Sequence, residues 1–179
     1  MDVVTATDSF ETFRDRLVEL VNAMHLDAIT EPDEDWPGIL FVQTERGIVI
    51  AAAVPLAGLT GEGKQYLGCV HLPERARAEQ ASRFGWVFPF VSHGAAAGGG
   101  AGGEGLALVV GDLRRQEAFV GAITRYPDRP PKLDNWRWAP QVRSETFVTP
   151  LVEALAEVAA ARILGGKARR RTHRDRDSG

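Results

Sequence analysis

With 179 residues, 44% of them hydrophobic and 25% charged, the chain is long enough for one domain with a real core. Its single cysteine, Cys69, excludes an intramolecular disulfide framework. No stretch reaches the roughly 20 apolar residues of a membrane span, and the longest apolar run, GIVIAAAVPLAGL, is broken by Pro55. The opening MDVVTATDSF lacks the basic flank and apolar segment of a signal peptide, so a cytoplasmic location is expected.

Charge is distributed unevenly. Residues 162–179 hold seven Lys/Arg and two Asp, a net of +5, so with −3 for the whole chain residues 1–161 carry −8. An acidic body ends in a basic tail.

Residues 9–25 predict an amphipathic helix. Phe10, Phe13, Leu17, Leu20, Val21 and Met24 recur at three- and four-residue spacing. Asp8 and Glu11 have capping-box spacing. EPDEDWPG (31–38) reads as an acidic, solvated loop, because its carboxylates lack the ligand pattern of a calcium loop. Residues 39–43 and 48–54 are β-rich and separated by TERG, which predicts a hairpin turning near Gly47.

The glycine-rich loop 55–63 follows, and most of 64–83 predicts helix, with Pro73 suited to a first turn. YLGCVHL, within it, reads as a kinked helical lead-in or, alternatively, a short strand. Residues 84–92 have strand composition, and Pro89 predicts an edge or a bulge there. The Gly/Ala tract 93–105 predicts a flexible loop.

The strongest strand signal is the hairpin 105–125. Leu106, Leu108 and Val110 alternate with Ala107, Val109 and Gly111, so both faces are apolar. A sheet face open to water would alternate apolar with polar. The hairpin therefore belongs in mid-sheet, with helices over both faces, and the small-residue face suits a closely packed helix. After a proline-rich loop at 126–146, Thr149 and Pro150 predict the start of a helix that Gly165 and Gly166 end. Residues 166–179 are expected to be a disordered basic tail after a single domain spanning 1–165.

The expected fold is α+β in the order α-β-β-α-β-β-β-α. A roughly five-stranded, mostly antiparallel sheet would carry the terminal helices on one face and the middle helix on the other. This order resembles that of roadblock and profilin-like modules over roughly residues 9–164, in element order alone. The resemblance implies a small regulatory or scaffolding module, commonly dimeric, that binds other proteins and performs no chemistry.

Gly58-Leu-Thr-Gly-Glu-Gly63-Lys64-Gln65 fits seven positions of a phosphate-binding loop, and LVVGD ending at Asp112 resembles its metal-handling partner strand. Gln65 stands where a magnesium-binding hydroxyl belongs. A degenerate nucleotide-binding protein using Gly58, Gly63, Lys64 and Asp112 is the alternative reading. The G-x-G-x-x-G matches within 98–105 are products of composition. Cys69, His71 and His93 fall short of a zinc ligand pattern. No motif marks a catalytic residue, a metal or a cofactor.

In the loop 126–146, Trp136 and Trp138 flank Arg137. Trp and Arg dominate binding hot spots, so these three are the candidate partner-binding residues, set against the reading that the Trp rings cover a sheet edge. Nucleic-acid contact is expected only through the tail Lys167–Arg176, since the acidic body repels polyanions. The expected function is a non-catalytic protein-binding or regulatory module, with a homodimer among its assemblies.

Overall fold

The computed structural model describes residues 9–28, 36–91, 104–128, 131–142 and 145–176. Helix α1 (Phe10–Ala28) begins at Ser9, whose Oγ accepts the Thr12 backbone N–H at 3.0 Å. Ser9 thus performs the capping expected of Asp8, which lies outside the described residues. Strands β1 (Gly38–Thr44) and β2 (Gly47–Val54) form the first hairpin, with Gly47 at φ 118° closing a two-residue turn.

Residues 61–78 resolve the helix-or-strand ambiguity as helix, in three parts. Helix α2 (Gly61–Tyr66) is capped by Thr60, whose Oγ1 accepts the Gly63 N–H at 3.1 Å. A π-turn, Leu67–His71, then leads into α3 (Leu72–Ala78). The widened turn lies immediately before Pro73, whose ring would otherwise press on the carbonyl four residues back. The remaining elements are β3 (Arg83–Val91), β4 (Glu104–Gly111), β5 (Gln116–Thr124), β6 (Lys132–Trp138), a 3₁₀ turn at Pro140–Val142 and α4 (Glu145–Arg176).

Among the described residues the sheet has six strands in the order β2-β1-β3-β4-β5-β6, every pairing antiparallel. The expected five strands become six because residues 132–138, assigned to a loop, add an edge strand. Mid-sheet placement of the 105–125 hairpin is correct: β5 lies between β4 and β6, and β4 lies between β3 and β5 with every residue from Gly105 to Gly111 buried. Most of the expected Gly/Ala loop lies outside the described residues, but Glu104 and Gly105 already belong to β4. Pro89 sits in an interior strand, yet just past Ile39–Val87, the last pair between β1 and β3. It therefore occupies a local edge.

Helices cover both faces, but not in the expected arrangement. On one face α1 packs Phe13, Leu17 and Val21 against Phe41, Val87, Leu106 and Leu108. On the other, Leu67, Leu72 and Ala76 join Leu151, Ala154 and Leu155 of α4 over Leu40, Phe84, Trp86 and Val109. The middle and C-terminal helices thus share a face, and α1 has the bulky-residue face to itself. Near β5, the small-residue face is closed by the 3₁₀ turn, where Ala107 and Val120 meet Ala139 and Val142.

Helix α4 differs from expectation at both ends. It begins at Glu145, so Pro150 lies in its second turn. It runs through Gly165 and Gly166 to Arg176, which replaces the expected disordered tail up to that residue. Glycine permits a helix to stop but does not compel it.

Candidate partner-binding edge

The two outer strands are finished differently. In β2 the register slips opposite Leu40 and Phe41, leaving Ala51 without a partner in β1. Arg75 of α3 donates its Nε–H to the Ala51 carbonyl at 2.8 Å. A bulge bound by a guanidinium is a recognised way to close an edge to further pairing. Among the described residues, the outer side of β6 pairs with no strand.

Strand β6 also carries a bulge. Val120 faces Arg137 and Ala122 faces Asp134, so Asn135 and Trp136 together oppose Gly121. Asn135 adopts φ 55°, the left-handed conformation that asparagine tolerates better than most residues. Leu133, Trp136 and Trp138 consequently lie on the α1 side, with Leu133 opposite Ile123 and Trp138 opposite Phe119. Lys132, Asp134 and Arg137 lie on the opposite side.

The candidate aromatic pair divides at this point. Trp136 is half-buried, packs on the α1-side core and donates its indole N–H to Asn22 Oδ1 at 2.8 Å. It fits because Gly121 has no side chain: a Cβ there would stand 2.8 Å from Trp136 Cε2 and 2.9 Å from Leu133 Cδ1. Trp138 is 67% exposed, and Arg137 is exposed. Trp136 is therefore cover for the core, whereas Arg137 and Trp138 present themselves at the open edge. Leu113, 46% exposed in the β4–β5 turn, lies at the same end of the sheet as Trp138.

That end is braced by ion pairs. Arg115 donates to Glu11 at 2.5 Å and stacks its guanidinium 3.9 Å from the Phe10 ring centroid. The Arg115 hydrogen bond, helped by backbone hydrogen bonding, lowers the Glu11 carboxyl to about 2. Arg14 bridges Asp15 and Glu117 and lies 5.8 Å from the Phe119 ring.

The phosphate-loop residues are not brought together. Gly58 makes a turn at φ 75°, while Gly63 and Lys64 lie in α2, with Lys64 exposed. Their loop leaves β2 at Val54, which pairs with Gly38 at one end of the sheet. Asp112 lies at the other end, in the β4–β5 turn, where its Oδ1 accepts the N–H groups of Arg114 and Arg115 at 2.7 and 3.0 Å. The antiparallel sheet also lacks the parallel strand–helix–strand unit that such a loop serves. Cys69 is exposed and His71 half-buried, and among the described residues no three His, Cys, Asp or Glu converge on a metal position. His93 lies outside the described residues.

One feature had no sequence signal. A groove of about 430 Å³ lies between the β1–β2 turn and the helices, lined by Thr44, Glu45, Arg46, Val49, Ala78, Glu79, Gln80 and Arg162. Gln80, two residues past the end of α3, adopts φ 54° and accepts a hydrogen bond from Arg162 at its carbonyl. Three separate chain segments build this groove, so no local pattern announces it.

No family model, curated protein or solved structure matches this chain.

Proposed function

We propose that the protein is a non-catalytic protein-binding module, regulatory or scaffolding in kind, that receives an extended segment on its β6 edge. The observation that carries this reading is Trp138, 67% exposed at the end of an edge strand whose outer side, among the described residues, pairs with no strand. A large aromatic held in water gains most from burial by a partner. Strand addition would supply main-chain hydrogen bonds, and Arg137 and Trp138 would supply side-chain selectivity on opposite faces.

The test is crosslinked partner capture with the wild-type chain, Trp138→Ala and Arg137→Glu, with folding checked by circular dichroism. The reading requires folded variants that lose captured partners. An unchanged set of partners would reject it. An empty capture accompanied by ATP- or GTP-dependent stabilisation would favour the phosphate-loop alternative.

A further inference from the structure

We propose that the segment received by the β6 edge is β6 of a second copy, paired antiparallel about a two-fold axis passing between Asn135 and Trp136. This deepens the edge-binding reading and rests on it. Two six-stranded sheets would then join into one continuous sheet.

The bulge makes the edge self-complementary. Asp134 and Arg137 are three residues apart, so a regular strand would put them on opposite faces. The extra residue at Asn135 returns them to the same face, opposite Ala122 and Val120 respectively. With the axis between Asn135 and Trp136, Asp134 of one copy stands opposite Arg137 of the other. Leu133 stands opposite Trp138 on the other face. Symmetry makes each pair twice, as expected for an isologous interface. Opposite charges and apolar groups directly across two strands are the pairs that stabilise sheets.

The register stays in step through the bulge. Each strand has the same two residues, Asn135 and Trp136, between Asp134 and Arg137. The two bulges meet at the axis, and neither copy has an unmatched residue. Asp134 already holds Lys132 at 3.0 Å on its own strand, and Arg137 of the second copy would join that pair. The other outer strand offers no equivalent, because its bulge carbonyl is taken by Arg75.

Sedimentation equilibrium over a wide concentration range tests this. The wild-type chain is expected to be a dimer. Asp134→Arg and Arg137→Asp alone should each weaken association by about tenfold or more, because each places like charges opposite one another twice. The double variant should recover most of that loss, and circular dichroism confirms that each variant folds. A wild-type chain monomeric at every concentration overturns the proposal, as does a dimer indifferent to both single reversals. Failure here is distinguishable from failure of edge binding. A monomer that still loses captured partners on Trp138→Ala retains the open edge and loses only the second copy as its occupant.

Discussion

Gly68 lies against the backbone carbonyl of Thr146: a Cβ on Gly68 would stand 2.6 Å from that oxygen and 3.0 Å from Phe147 Cδ1. The contact joins the π-turn to the first turn of α4. Pro150 has no N–H to offer the carbonyl four residues before it, so the Thr146 oxygen faces Gly68 without the usual helical donor. The two irregularities, the wide turn and the proline within α4, meet at one point.

Gly68→Ala should therefore cost about 1–3 kcal/mol, the range for overfilling a packed site, because its obstacle is backbone. Gly165→Ala is the control. It has nothing within 4 Å of its added Cβ and lies within α4, so it should stabilise by about 0.5–1 kcal/mol. Urea unfolding of both variants measures the contrast.

The αL residue of β6 supplies a second prediction. Asn135→Ala should destabilise by about 1–2 kcal/mol and Asn135→Gly far less, because φ 55° is costly for alanine and free for glycine. Equal losses in thermal unfolding would mean that the side chain, and not the conformation, matters at this bulge.

Removing the amide that holds Trp136 is a third. Asn22→Ala leaves a half-buried indole N–H without its partner and should cost about 1–2 kcal/mol. Trp136→Phe in the Asn22→Ala background should then lose less than it does alone. A double-mutant cycle in urea reads the coupling.

The Glu11–Arg115 pair predicts a pH dependence of known sign. The folded carboxyl titrates near 2, below its ordinary value of 4.5, because Arg115 donates a hydrogen bond to its charged form. Its contribution to stability is complete above about pH 4.5 and disappears as the pH falls towards 2. Carbon-detected NMR titration of Glu11 should show a return towards 4.5 in Arg115→Ala.

Nucleotide should leave the protein unaffected. ATP or GTP with magnesium should not shift the unfolding temperature, and Lys64→Ala should behave as wild type, because the loop leading to Lys64 leaves the sheet at the end opposite Asp112.

What the sequence determined by itself was local. The alternation of Leu106, Leu108 and Val110 with Ala107, Val109 and Gly111 required a strand buried on both faces, and β4 is that strand. The spacing of Phe10, Phe13, Leu17 and Val21 required one helix stripe, and Gly47 required a turn. Such patterns are legible because each is a period or a conformational demand of the chain itself. The face each helix would take was not, since α1 and α4 both carry an apolar stripe and either satisfies periodicity. Tertiary packing placed Phe13 and Leu17 on the bulky side and put α3 and α4 together on the other. The candidate site divides in the same way. Composition marked Trp136, Arg137 and Trp138, but Asn22, more than a hundred residues away, anchors one indole, and Gly121 makes room for it. The left-handed turn at Asn135 determines which side each residue faces. Only the tertiary structure could show that one tryptophan closes the core and the other remains at an open edge.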